Sequence, residues 1–211
     1  MNIYGNYEQS LHKVMDQLLH NIQELNEDEV NHHHPKLYEH LISRVKTPAS
    51  MTEKCQRKGY PVTTESALRN CKDAIGVRIV CNFIDDIDRC LTLLRQSDWC
   101  DIVKEKDYIT NAKPNGYRSY HVILNVTTPY KDVDGNVPGH YYAEIQLRTI
   151  AEIQLRTIAM DSWASLEHEM KYKHHIKNPE RIGKELKRCA DQLASCDVQM
   201  QTIRQLINEH D

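Results

Sequence analysis

The sequence predicts a mixed α/β (α+β) domain in which one β-sheet of mixed direction is flanked by helices. Three observations carry this reading. Apolar residues recur at helical spacing near both ends of the chain, and central stretches alternate apolar and polar residues with a period of two. Strands and helices also lack the regular βαβ alternation of an all-parallel sheet. A length of 211 residues suits one domain with a real core, and 40% hydrophobic with 27% charged residues is a globular balance.

Each element follows from its local pattern. Leu11, Val14, Met15, Leu18, Ile22 and Leu25 predict an amphipathic helix within a helical segment spanning residues 1–35. NEDEVNHHHPK interrupts that pattern, and Pro35 reads as the start of a second helix carrying Tyr38, Leu41, Ile42 and Val45 as far as Pro48. SMTEKCQRKG predicts a short helix closed at Gly59. GVRIVCNF turns Val77, Ile79, Cys81 and Phe83 one way and Arg78 and Asn82 the other, which is a strand. Ile84, Ile87, Leu91 and Leu94 then mark a helix, and WCDIVKEKDY a short strand. YRSYHVILNV alternates Tyr120, Val122, Leu124 and Val126 against Ser119, His121 and Asn125. The Asp-Gly of KDVDGNVPG predicts a hairpin whose return strand is YYAEIQLRT. From about Met160 the chain reads as helical. In the last segment, 176–211, Leu186, Ala190, Leu193, Met200, Ile203 and Ile207 form a near-heptad stripe. That stripe suits an oligomer contact or packing on its own domain equally well. Residues 36–175 between the terminal segments contain no domain break.

Charge and cysteine content narrow the function classes. Residues 1–31 carry six acids against one lysine, whereas residues 36–72 carry eight Lys/Arg against three Glu. A basic segment within a chain of net charge −3 points to a localised anion site rather than a nucleic-acid coat. The seven cysteines include no C-x-x-C pair, which suits reduced thiols in a cytoplasmic setting better than a disulfide framework or a zinc site. No apolar run approaches the roughly 18 residues of a membrane span. MNIYGNYEQSLHK does not read as a signal peptide.

Four stretches place polar groups where packing alone would not ask for them. In SRVKTPASMTEKCQRK, the basic residues Arg44, Lys46, Lys54 and Arg57 accompany Ser50, and Ser50, Lys54 and Arg57 fall on one helical face. A row of cations with a hydroxyl suits a polyphosphate, and the same row suits a solvated basic face. In KDAIGVRIV, Asp73 precedes the strand and Arg78 lies on its polar face; such a carboxylate is either an Mg²⁺ ligand or a turn cap. In NAKPNGYRSYH, a Pro-Asn-Gly turn delivers Tyr117, beside Arg118, to a strand end, where it either stacks on a base or covers a sheet edge. In A-E-I-Q-L-R-T, Ala, Ile and Leu face the core while Glu, Gln and Arg line the other face, spaced about 7 Å apart. Ser119 and His121 on the expected partner strand favour an active-site floor over a wet surface.

These motifs occur in the order in which they occur in the small alarmone synthetases. SRVKTPAS-x-x-EK, DAIGVRIV, NGYRSYH and EIQLRTIAMDSWASLEHEMKYK, over about residues 40–175, closely resemble these single-domain members of the bacterial RelA/SpoT family. The resemblance implies a nucleotidyltransferase-like fold, often assembled as a homotetramer. It also implies an Mg²⁺-dependent transfer of the β,γ-pyrophosphate of ATP to the 3′-hydroxyl of GDP or GTP, giving (p)ppGpp in the stringent response. His32, His33 and His34 do not match the metal motif of the hydrolase domain of longer members, so synthesis without hydrolysis is expected. Carried over residue by residue, Arg44, Lys46, Ser50, Lys54 and Arg57 match the ATP-binding stretch. Arg44 and Arg78 match the pair that sandwiches adenine, and Asp73 matches the metal ligand. Tyr117 matches the aromatic that stacks on guanine and His121 a contact near the acceptor's phosphates. The Glu of EIQLRT matches the acid credited with metal binding and activation of the hydroxyl, and its Gln a nucleotide contact.

The chain departs from the family by carrying AEIQLRTI twice in tandem, at residues 143–150 and 151–158. Glu144 and Gln146 keep the family-like distance to the hairpin, and Glu152 and Gln154 the distance to Trp163, Glu167 and His168. Eight is even, so either copy turns the same face to the cleft. A surplus absorbed in the hairpin lengthens a surface loop at a cost on the order of 1 kcal/mol or less. That reasoning favours Glu152, Gln154 and Arg156 as the working set. Two further readings stand beside this one. The first is a catalytically impaired homologue that binds nucleotide or single-stranded RNA. The second is a toxin-type relative that pyrophosphorylates tRNA through KYKHHIKNPERIGKELKR, which carries seven Lys/Arg against two Glu.

Overall fold

The sheet is built from strands whose apolar faces close over one core. The computed structural model describes residues 2–114, 117–149 and 179–208. Within them lie α1 (Glu8–Asn31), β1 (His40–Val45), α2 (Pro48–Arg57), β2 (Ile75–Cys81), α3 (Ile84–Gln96), β3 (Cys100–Asp107), β4 (Tyr120–Thr128), β5 (Gly139–Thr149) and α4 (Pro179–Asn208). The strand order is β1-β2-β5-β4-β3. Only β2 and β5 run parallel, and the other neighbouring pairs are antiparallel, which is the expected mixed sheet.

Alternation sends one face of each central strand inward. Val77 and Ile79 of β2, Val122, Leu124 and Val126 of β4, and Ala143, Ile145 and Leu147 of β5 are buried. They share a cluster with Leu11, Val14, Leu18 and Ile22 of α1 and Ile87, Leu91 and Leu94 of α3, as the helical spacing of those residues requires. α2 begins on a Thr47 cap whose hydroxyl accepts the Ser50 N–H at 3.3 Å, with Pro48 at its first position. Gly59 just beyond it takes a left-handed φ of +70°, which a side chain would resist. The six described cysteines are all free thiols.

The expected helix from Pro35 to Pro48 is instead β1. Tyr38, Leu41, Ile42 and Val45 do fit a helical stripe, but a run this short also fits a strand, and pairing with β2 decides it. Leu41, Ser43 and Val45 are half-buried while Ile42 and Arg44 face out, an alternation of two that the β-branched Ile42 and Val45 support. The second revision concerns the repeat. β5 is filled by the first copy, with Ala143 opposite Ile75 and Thr149 opposite Cys81, so the surplus follows the strand and does not lengthen the hairpin. The β4–β5 register runs without slip from Thr128↔Gly139 to Tyr120↔Leu147, leaving no room for extra residues on that side.

Candidate active site

The solvent-facing side of the sheet carries polar residues in two cross-strand rows. Register places Arg44 opposite Gly76 and Gly76 opposite Glu144. The next row runs Ile42, Arg78, Gln146 and His121. A cleft of about 180 Å³ opens over these rows, lined by Arg44, Lys46, Asp73, Arg78, Glu144 and Gln146, with Ile42, Ser43, Gly76 and Val77 completing its wall. Six of the residues singled out from sequence, on three strands and two flanking segments, therefore meet at one place.

Asp73 is the acid at the mouth of the sheet, 8% exposed, just ahead of β2. One carboxylate oxygen, Oδ2, is ion-paired with the ammonium groups of both Lys46 and Lys54, the latter at 2.5 Å. Its other oxygen, Oδ1, is buried and has no hydrogen-bond partner. An unmatched lone pair on a buried carboxylate is costly unless a cation or donor takes it, so the position fits a metal ion. Lys46 follows β1, and its backbone is fixed from two sides. Its N–H donates to Ala74 at 2.8 Å, and its carbonyl accepts the hydroxyl of the fully buried Tyr4 at 2.8 Å.

Glu144 sits on β5 across Gly76 from Arg44, and His121 on β4 reaches it. His121 Nδ1 lies 3.0 Å from Glu144 Oε1, and its Nε2 lies 2.8 Å from the Tyr117 hydroxyl. A neutral imidazole satisfies both contacts if Nδ1–H donates to the carboxylate and Nε2 accepts from the tyrosine. The His121 hydrogen bond, outweighing burial, together with the charges of Lys54 and Lys46, holds the Glu144 carboxyl below its ordinary value. Glu144 is thus ionised at neutral pH and able to accept a proton or a metal.

Tyr117 belongs to an aromatic group. Its ring meets Tyr108 edge-on at 6.1 Å and His121 at 5.8 Å, and Lys113 Nζ lies 4.6 Å from the ring centres of both Tyr108 and Tyr117.

Not every expected residue joins the cleft. Ser50 and Arg57 are exposed on α2 and do not line it, and Ser50 accepts a hydrogen bond from Thr47 Oγ1 at 3.0 Å. Ser119 is structural: its hydroxyl is buried and donates to the Leu147 carbonyl at 3.1 Å. Glu152, Gln154 and Arg156 lie outside the described residues. Sequence reasoning missed Ile42, Ser43 and Gly76 in the cleft wall and Tyr108 beside Tyr117. A glycine inside a mainly apolar strand, second in IGVRIVC, is the one signal that pointed there, because it marks a close approach to the backbone.

The chain is similar to known proteins in sequence and in fold. The model for the region found in RelA/SpoT proteins matches residues 43–177. The GTP pyrophosphokinase YwaC of Bacillus subtilis is 39% identical over 179 residues, 85% of this chain and 79% of that protein. The small alarmone synthetase 1 of Bacillus subtilis, in a crystal structure bound to its product pppGpp, superposes with a TM-score of 0.75 at 29% identity, covering 93% of this chain and 94% of that one. The small alarmone synthetase 2 of the same organism gives 0.73 at 36% identity, covering 95% and 98%.

Proposed function

The chain belongs to the RelA/SpoT family, and from that premise we propose that it is a small alarmone synthetase, a GTP pyrophosphokinase that transfers the β,γ-pyrophosphate of ATP to the 3′-hydroxyl of GDP or GTP. The observation that carries this reading is the convergence of Arg44, Lys46, Asp73, Arg78, Glu144 and Gln146 on one cleft. Two polyanions must be brought together for the transfer, and the obstacle is repulsion rather than bond chemistry. Lys46 and Lys54 supply positive charge where the donor's phosphates would lie, and Arg44 and Arg78 flank its base. Mg²⁺ would be held by Asp73, through its unpartnered Oδ1, and by Glu144, and would neutralise phosphate charge. Tyr117 offers its ring to the acceptor base.

Glu144 is the group we assign to the acceptor hydroxyl. It is ionised, it is held in one orientation by His121, and it faces the cleft beside the lysines. A carboxylate so placed removes the hydroxyl proton as the oxygen attacks the β-phosphorus of ATP and AMP leaves with the bridging oxygen, while His121 keeps the carboxylate aimed. The working copy of the repeat is therefore the first, with Glu144 and Gln146, in place of the Glu152 and Gln154 that loop cost alone favours. For assembly we assign α4, which exposes Val198, Ile203, Leu206 and Ile207, to contact with further copies of the chain. Among the described residues no helix is long and apolar enough to cross a membrane.

The deciding assay incubates the protein with Mg²⁺, ATP and GDP or GTP, and resolves products by anion exchange. Wild-type protein should yield ppGpp or pppGpp, Glu144→Gln should lose at least about a hundredfold in kcat, and Glu152→Gln should stay near wild type. Loss confined to Glu152→Gln would keep the activity and reverse the copy. Absence of product from the unaltered chain would overturn the reading.

A further inference from the structure

Four side-chain positions on β1 and β2 form a square on the cleft floor. Arg44 faces Gly76 and Ile42 faces Arg78, so the two arginines occupy diagonal corners. Diagonal neighbours on an antiparallel pair stand about 7–8 Å apart, which leaves room for one flat ring stacked between two guanidinium planes. The other two corners hold a glycine and an isoleucine that remains 50% exposed.

Neither residue is explained by the fold. Gly76 is not among the glycines with positive φ, so its backbone does not require the absence of a side chain. A Cβ at this position would stand 3.9 Å from Arg44 Cγ and from the Arg44 carbonyl, ordinary van der Waals contact. Glycine inside a strand costs stability relative to a residue with a side chain. The fold would therefore gain from a larger residue here, and what a side chain would remove is space above the floor, between Arg44 and Glu144. Ile42 is apolar among charged neighbours and lines the same cleft from the corner beside Arg78.

We propose that Gly76 and Ile42 are specificity-determining residues for the planar purine base of the donor nucleotide. Gly76 keeps the slot between the arginines open, and Ile42 gives the ring edge an apolar wall. The inference rests on the pyrophosphokinase reading and adds two residues to the slot that Arg44 and Arg78 give the base, as distinct from the lysines and acids that meet phosphate and metal. A donor lacking the base gains nothing from this slot.

The test uses the full chain and two probes in the presence of Mg²⁺: a non-hydrolysable ATP analogue and inorganic tripolyphosphate, each followed by titration calorimetry alongside thermal unfolding. Gly76→Val should melt at or above the wild-type temperature. It should weaken the ATP analogue by roughly tenfold or more while leaving tripolyphosphate within about twofold. Gly76→Ala and Ile42→Thr should weaken the analogue selectively but less, and they decide the question if Gly76→Val fails to fold. Undiminished analogue binding by the folded variants, or equal loss of both probes, overturns the inference and leaves the pyrophosphokinase reading standing. A wild-type chain that binds neither probe overturns both.

Discussion

Tyr4 shows how a single side chain far away in sequence sets the cleft. It is fully buried, and its hydroxyl bridges 42 positions to the carbonyl of Lys46, whose ammonium pairs with Asp73. Tyr4→Phe keeps the ring and the packing but leaves that carbonyl without its donor, at a cost of about 1 kcal/mol. Thermal unfolding should record that modest loss. Turnover at saturating ATP should fall further than so small a destabilisation explains, because the Lys46 backbone is then fixed from one side only, by its bond to Ala74. A Tyr4→Phe protein with wild-type turnover would reduce the residue to a packing role. Tyr4 was not legible in the sequence, since nothing in MNIYGNY announces a partner forty residues on. Arg44, Lys46, Asp73 and Arg78 were legible, because charged residues at fixed offsets around a strand have few reasons to be there. Ser50 and Arg57 shared that pattern but stay outside the cleft lining, so spacing on a helix identified the face and not which members of it reach the site.

At the scale of elements, the β4–β5 hairpin is held to the segment ahead of β2 through Arg69, whose guanidinium meets the buried Asp132, Asp134 and the His140 carbonyl. Asp132 is 1% exposed and collects the N–H groups of Asp134, Asn136 and His140, the Asn136 amide and the Arg69 guanidinium. Burial pushes its carboxyl up, but the hydrogen bonds from Asn136, His140 and Arg69 outweigh this and hold it well below the usual carboxylate range. A depressed folded-state pKa gives stability that is complete above the unfolded value of about 4 and is lost as pH falls through and below it. Asp132→Asn should flatten that acid-side decline in melting temperature, and Arg69→Ala, which removes the cation paired with the buried carboxylate, should cost about 3 kcal/mol at neutral pH. An unchanged acid limb in Asp132→Asn would show that other carboxylates control it.

Elements also differ in how readily they could be read. α3 was legible over the span it takes, Ile84–Gln96, whereas α1 runs from Glu8 to Asn31, six residues past Leu25, the last residue of its predicted apolar stripe. β4 and β5 alternate cleanly because one face of each is buried, and β2 alternates until its buried end at Ile79, Val80 and Cys81. β1 was misread because only six residues form it, its apolar members fall at offsets that suit either period, and one of them, Ile42, faces the cleft rather than the core. The Asp-Gly signal located the hairpin, but the Asp132 network that shapes it depends on Arg69, which no local pattern brings there.

For the molecule as a whole, the tandem copy poses a problem of connection rather than chemistry. Since β5 takes the first copy, the chain carries eight more residues between the sheet and Trp163 than a single-copy chain would. Deleting residues 143–150 or residues 151–158 produces one and the same sequence, so the single-copy protein answers a question that point substitutions cannot. In it, one glutamate stands both at the β5 position that pairs with Gly76 and at the family-like distance from Trp163. If the surplus is an idle insertion, lengthening a connection by eight residues costs on the order of 1 kcal/mol or less, and the melting temperature of the shortened chain should rise by only about 2–4 °C. Its alarmone synthesis should equal or exceed that of the parent, because one glutamate then meets both spacings at once. A shortened chain that folds equally well but makes less product would mean that the second copy supplies contacts of its own, and the assignment of catalysis to Glu144 alone would have to be given up.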